Sequence, residues 1–283
     1  MNKDGVVDQA SLTTQRVTVS IDDGVASVRL DRADKLNALD VPMLAALADT
    51  GEQLKQDSSV RVVVLSGEGQ GFCAGLDVGS LQAMSGGDVD SQPSDGVLQQ
   101  IGETSGRITH LAQQAAYVWQ ELESPVIAAV HGVVLGGGCQ IALCADMRIA
   151  SPDARFSVLE IRWGLVPDMT GTAMLPLLVG LDVAKELSFT GRMVSAEEAA
   201  RIGLVTRVSD SPLDDALALA QEIARKSPQA IRGVKKLLNR ARYASLAEQF
   251  RDERETIKPL LGSRNQVEAV MAHLEKRDPV FED

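Results

Sequence analysis

The chain has 283 residues, 45% of them hydrophobic and 24% charged, an ordinary globular balance with room for one large core or a core plus an appendage. A formal net charge of −11 argues against non-specific nucleic-acid binding, which depends on neutralising phosphates, and means that an anionic ligand must be held by local groups. Cys73, Cys139 and Cys144 are odd in number and form no CxxC pair, so they read as small hydrophobes of a reducing compartment and not as a disulfide framework.

The first residues, MNKDGVVDQASLTTQ, are polar and lack an apolar signal core. No apolar run is long enough to span a bilayer, since SPVIAAVHGVVLGGG is interrupted by His131 and several glycines. A cytoplasmic protein without membrane or nucleic-acid partners is the expectation. Residues 16–21 alternate, Asp22-Asp23-Gly24 is a hairpin signal, and Val25–Leu30 resumes the strand pattern. Asp40 can cap a helix with Pro42 in its first turn, and Met43, Leu44, Leu47, Gly51 and Leu54 form its packed stripe. Val60–Leu65 and Val126–Val130 are nearly all apolar and β-branched or small, as in strands buried on both faces.

Between Gly79 and Arg107 the composition shifts to Gly, Ser, Asp and Gln, which reads either as a lid-like surface loop or as plain disorder. From about Leu213 the pattern is helical: Pro212–Lys226, Gln229–Tyr243, Leu246–Leu261 and Asn265–Arg277 carry apolar residues at three- and four-residue spacing. Strands early and helices late predict an α/β core over 16–211, followed by a helical region over 212–283 that packs on the core or on another subunit.

Two glycine-rich turns follow strands, where α/β folds place their sites: Gly71-Phe72-Cys73-Ala74-Gly75-Leu76-Asp77, and Leu135-Gly136-Gly137-Gly138-Cys139-Gln140. Helical spacing after Gly138 makes Gly136–Gly138 a helix N-terminus, whose free N–H groups favour negative charge. The alternative is tight strand–helix packing that needs small residues. No Gly-Lys-Ser/Thr follows either turn, which excludes a P-loop, and GxGxxG is completed at neither.

Taken together, in this order and separation, the two turns resemble those of the crotonase superfamily, the enoyl-CoA hydratase/isomerase family. Further matches are Arg32–Leu39 (RADKLNAL), Ser124–Gly132 (SPVIAAVHG), Cys144–Ile149 (CADMRI), Phe156–Pro167 (FSVLEIRWGLVP), Gly191–Val208 (GRMVSAEEAARIGLVTRV) and Gln229–Leu238 (QAIRGVKKLL), so the resemblance spans roughly residues 16–280. It implies an α/β fold, the crotonase (ClpP/crotonase-like) spiral of ββα units with a C-terminal helical region. It also implies an acyl-CoA thioester substrate, no cofactor beyond the coenzyme A of that substrate, no metal, and a homotrimer or dimer of trimers. Residue by residue, it places an oxyanion hole at the N–H groups of Leu76 and Gly137. It assigns the CoA channel to Lys35, Leu36, Ala74, Gly75, Asp77 and Val78, with Leu135 and Gly136 beside it. Lys35 reads equally well as a solvated surface lysine or as a partner for a CoA phosphate.

The two-glutamate hydratases of this family carry one glutamate directly after GGGC and another twenty residues on; here these positions are Gln140 and Glu160. Glu160 sits among apolar neighbours in Val158-Leu159-Glu160-Ile161, surroundings that raise a carboxyl pKa and suit proton shuttling near neutral pH; the alternative is an edge-strand surface glutamate. A neutral amide at Gln140 can hydrogen-bond water or thioester but cannot take and return a proton. Asp168, eight residues after Glu160, resembles the second acid of the Δ3,5-Δ2,4-dienoyl-CoA isomerase branch, although that branch also has an Asp where this chain has Gln140. Asp168 also reads as the N-cap of a helix over Thr170–Val179.

Trp163 reads as a wall of the acyl pocket or as a core tryptophan. Asp146 and His131 read as structural, and His110 and His273 show no partner motif. Ser66 and Ser157 lack a nucleophile elbow. RNA binding through Lys235-Lys236 and Arg240-Arg242 is disfavoured by the overall acidity. The expectation is an enoyl-CoA hydratase/isomerase-type enzyme leaning to double-bond isomerisation. Syn-hydration of a 2-enoyl-CoA and a catalytically weak acyl-CoA-binding subunit are the rivals.

Overall fold

A computed structural model describes residues 16–77, 79, 104 and 106–283. The expected lid over Gly79–Arg107 lies almost entirely outside the described residues, as does Val78.

Strands β1 (Val17–Asp22) and β2 (Val25–Leu30) form the expected hairpin. Its two-residue turn carries positive φ at both Asp23 (45°) and Gly24 (76°), which matches the right-handed twist of the flanking strands. β2 then pairs in parallel with β3 (Val62–Gly67), β3 with β4 (Val126–Val130), β4 with β6 (Met147–Ala150), and β6 with β9 (Arg207–Val208). The sheet order is thus β1-β2-β3-β4-β6-β9. A smaller sheet runs β5 (Val133–Leu135), β7 (Arg155–Ser157) and β8 (Val194–Ser195).

Single bridges extend the second layer: Cys73 pairs with Val134, and Leu39 with Leu76. The chain therefore spirals. β2 leads through Leu39 to helix α1 (Val41–Lys55); β3 leads through Cys73 and Leu76 towards α2 (Leu111–Glu121). β4 leads through β5 to α3 (Gly137–Leu143), and β6 through β7 to a 3-10 turn (Glu160–Trp163), α4 (Gly171–Val179) and α5 (Leu181–Thr190).

α1 begins as its sequence requires: the Asp40 carboxylate accepts from Met43 N at 2.9 Å, with Pro42 in the first turn, where its missing N–H costs nothing. Its predicted stripe is buried throughout. The nearly continuous apolar strands have two faces to fill. Val63 and Leu65 join the main core with Phe72, Trp119 and Ile141, while Val62, Val64, Ile127, Ala129 and Ile149 form a second cluster on the opposite face.

After α6 (Ala196–Arg201), the second cluster is closed by α7 (Pro212–Ala224) through Ala216, Ala220 and Ala224, one small residue per turn. α8 (Pro228–Arg240), α9 (Leu246–Ile257) and α10 (Arg264–Glu275) complete the chain. α8 is tied down by Lys235, 7% exposed, whose ammonium donates to the Asp146 carboxylate at 2.8 Å and to the carbonyls of Trp119 (3.2 Å) and Ser124 (2.9 Å). Asp146 also accepts from Val126 N at 2.7 Å, which bears out its structural reading. Lys235 is thus unavailable to a phosphate backbone, and the RNA idea loses its first residue. α9 buries no side chain within this chain, and Leu246, Phe250 and Ile257 stay exposed. No helix among the described residues is long and apolar enough to cross a membrane.

Candidate active site

The two glycine turns lie side by side. Cys73 N donates to Val133 O and Leu135 N to Cys73 O, both at 3.0 Å, so the first turn runs as an extra strand along β5. Gly75, at φ +85°, packs so closely that a β-carbon there would fall 2.8 Å from Leu135 O; only glycine satisfies both demands. Gly138 meets a second steric limit, since its β-carbon would sit 2.5 Å from Cys73 Cβ and 2.7 Å from Cys73 O. The glycine run therefore answers close backbone packing and also opens α3, so both readings of it hold.

Leu76 and Gly137 follow the contacting residues Gly75 and Gly136. Among the described residues, no acceptor in the chain takes the N–H of either one. Leu39 adjoins both: it bridges Leu76, and its Cδ1 would lie 2.7 Å from a β-carbon at Gly137. Met169 Sδ would lie 2.8 Å from the same position.

Glu160 opens the 3-10 turn and is 8% exposed, which overturns its reading as an edge-strand surface residue. Oε1 of the carboxyl group would approach a β-carbon at Gly136 to 3.4 Å, placing the acid against the same turn. Oε1 accepts from the Gln140 amide at 2.5 Å; Oε2 is buried with no hydrogen-bond partner. Burial raises the pKa above the ordinary carboxyl value and nearby Asp168 adds to the rise, while hydrogen bonding from the Glu160 backbone N–H and from the Gln140 amide pulls against it.

Gln140, fully buried, is occupied on both sides: besides donating to Glu160, its carbonyl accepts from Met169 N (2.9 Å) and Gly171 N (2.8 Å). The amide oxygen and one amide N–H are thus committed inside the protein. The same bonds correct the capping role of Asp168. α4 starts at Gly171, Thr170 occupies the cap in a left-handed conformation without a side-chain cap, and the carbonyl of Gln140 takes the Gly171 N–H instead. Asp168 is exposed on this chain and adds to the upward shift at Glu160; at His110, whose pKa burial lowers, it works against that burial. His110 caps α2 by accepting from Gln113 N.

Trp163 is 56% exposed, so its core alternative fails. Lys35 is exposed in a short 3-10 turn (Ala33–Lys35), with Leu36 following in a left-handed conformation. Asp77 is ion-paired to Arg32 at 2.8 Å and accepts from Gly79 N at 2.8 Å, so its carboxylate braces the turn. Ala74, Leu76 and Leu135 are half-buried around Gly75 and Gly136. His131 pairs its ring with Gly69 O at 2.9 Å, a structural role. The three cysteines are buried and free, with thiols pushed up to about 12 by burial.

Asn37 was missed as an individual in the sequence. Fully buried at φ +55°, it accepts from Arg32 N (2.8 Å) and donates to Glu68 O and Gly71 O (both 2.9 Å). Ala74 N donates to Leu36 O at 2.9 Å and Leu39 N to Gly75 O at 2.7 Å, so this hub holds the first glycine turn in place. An Asn between apolar residues in a loop, tolerant of left-handed backbone, was the available signal.

The family described as enoyl-CoA hydratase/isomerase matches residues 20–283. A short-chain-enoyl-CoA hydratase from Clostridium acetobutylicum is 34% identical over 257 residues, covering 89% of this chain and 92% of the relative. A peroxisomal Δ(3,5)-Δ(2,4)-dienoyl-CoA isomerase from Arabidopsis thaliana is 33% identical over 276 residues, covering 95% and 96%. The crystal structure of an enoyl-CoA hydratase from Bacillus anthracis superimposes with a TM-score of 0.85 at 29% identity, covering 94% of this chain and 99% of that one.

Proposed function

This chain belongs to the enoyl-CoA hydratase/isomerase family, and from that premise we propose that it shifts a double bond along an acyl-CoA thioester through an enolate. Leu76 N–H and Gly137 N–H donate to the thioester oxygen. The Glu160 carboxylate takes the proton from Cα, and the electron pair moves onto that oxygen. The protonated Glu160 then returns the proton at Cγ, and the double bond moves into conjugation. Each oriented donor contributes roughly a hundred- to thousandfold in rate when water is excluded.

The observation that carries this reading is the buried Glu160 carboxyl group, which lies with Oε1 against the turn that bears Gly137 and leaves Oε2 without a partner. Glu160→Gln should cut turnover by at least about a hundredfold and leave thioester affinity nearly unchanged. Undiminished turnover in that variant would refute the role. Asp168 serves as a second acid–base group across the acyl chain, as in the dienoyl-CoA isomerase-like branch. Lys35 meets a CoA phosphate, and Ala74, Gly75 and Leu36 line the channel, with Trp163 over the acyl end. No cofactor is needed beyond the coenzyme A of the substrate. The apolar residues exposed on α8–α10 fit a homotrimer, or a pair of trimers, in the cytoplasm.

Syn-hydration of a 2-enoyl-CoA is the second reading, favoured by the hydratase name of the Clostridium acetobutylicum relative. Against it, the position that would supply a second carboxylate holds an amide already committed to protein atoms. Parallel assays on crotonyl-CoA, a 3-enoyl-CoA and a 3,5-dienoyl-CoA separate the readings. Faster hydration than isomerisation would reverse the preference, and affinity without turnover on any substrate would leave an acyl-CoA-binding subunit.

A further inference from the structure

We propose that Gln140 is a positioning residue that makes Glu160 a one-oxygen proton carrier, reserving Oε1 as a fixed acceptor and leaving Oε2 alone to take and return the proton. The inference rests on Glu160 being the acid–base group and adds how it is held.

The geometry leaves the amide one orientation. Its oxygen accepts from two backbone N–H groups, Met169 N at 2.9 Å and Gly171 N at 2.8 Å. An inverted amide would aim N–H groups at N–H groups, so the NH2 must face Glu160. Glu160 Oε1, 2.5 Å away, can then only accept. A proton arriving on the carboxyl group has to sit on Oε2, the atom with no partner of its own. The amide oxygen sits close against Gly171, where a β-carbon would lie 2.7 Å from Gln140 Oε1.

The bond has an electrostatic effect as well. A donated hydrogen bond favours the ionised carboxylate, and it is the side-chain interaction that opposes the desolvation of Glu160. The charged and titratable groups around the carboxyl are few. Asp168 follows on the next turn and works in the same direction as burial. The Cys139 thiol on α3 stays neutral, pushed up to about 12. His110, at the start of α2, interacts with Asp168. On α5, packed against the 3-10 turn, Asp182, Lys185 and Glu186 are exposed to water, as is Arg162 on the turn itself.

The experiment measures the pH profile of kcat/KM, on whichever of the three substrates turns over, for the wild type, Gln140→Glu and Gln140→Met. Gln140→Glu keeps an acceptor for Met169 N and Gly171 N but sets two carboxylates in contact, which cannot both ionise. Gln140→Met keeps the bulk and loses the donor. The base must be ionised to work, so a raised pKa removes activity at pH values where the wild type still turns over. The acidic limb should move up by about one unit or more in both variants, with thioester affinity within about threefold of wild type. An acidic limb within about 0.2 unit of wild type in variants that bind thioester normally would overturn the role. Where Gln140→Met does not fold, Gln140→Glu decides alone. Failure of the underlying reading looks different: Glu160→Gln would itself retain turnover.

Discussion

Asn37→Ala tests how the first glycine turn is held. The wild-type side chain makes three hydrogen bonds inside the protein, to Arg32 N, Glu68 O and Gly71 O, at 2.8–2.9 Å. Truncation leaves all three partners short of a bond, one of them buried and two part-buried, at about 1 kcal/mol each net, or about 3 kcal/mol together. Alanine must also hold φ +55°, a left-handed conformation that asparagine tolerates and alanine does not, adding about 1 kcal/mol. The total is about 4 kcal/mol, which lowers the unfolding temperature by roughly 10 °C for a chain of this size. Thermal and urea unfolding measure it directly. Asn37→Gly removes the same bonds without the conformational strain and should recover about 1 kcal/mol of the loss. Because Ala74 and Leu39 are bonded into this loop, turnover should fall even where the variant is folded. A change under about 1 kcal/mol in Asn37→Ala would refute the reasoning.

Gly138→Ala drives a methyl group into Cys73 Cβ and its carbonyl, neither of which can move without disturbing the strand pairing with Val134; a loss of about 2 kcal/mol or more and a severe drop in turnover are expected from unfolding and rate measurements. Glu160→Gln should gain stability while losing activity. The folded-state pKa of Glu160 lies above the ordinary value of 4.5, so the stability it contributes is fully present below that pH and is lost as pH rises through the folded pKa. Urea unfolding should therefore find Glu160→Gln more stable than wild type near pH ~8 and equal to it near pH ~4, and a constant offset across that range would contradict the assignment.

Strand alternation and the all-apolar runs made the main sheet legible, because period and β-branching report directly on burial; Val126–Val130 coincides with β4, and the strand expected over Val60–Leu65 begins two residues later, at Val62. The C-terminal helices were visible from their spacing, with frayed ends trimmed. The second layer was not, because its strands are three residues or fewer and partly single bridges, too short to show a period. At the site, the glycine turns and Glu160 stood out through composition. The occupation of Gln140 did not, since its acceptor bonds reach 29 and 31 residues along the chain. The capping of α4 by that distant carbonyl was hidden for the same reason, and local rules pointed to Asp168.

The alanine ridge of α7 has a consequence for any attempt to divide this protein. Ala216, Ala220 and Ala224 lie over Val25, Val62, Val64, Ile127, Ala129 and Ile149. A fragment ending before residue 212 would carry that valine- and isoleucine-rich surface bare into solvent, a flat apolar sheet face of the kind that drives aggregation. The strand-rich and helix-rich portions of the chain therefore share an interior, and the helical end is as much a lid on the β-structure as it is a region of its own.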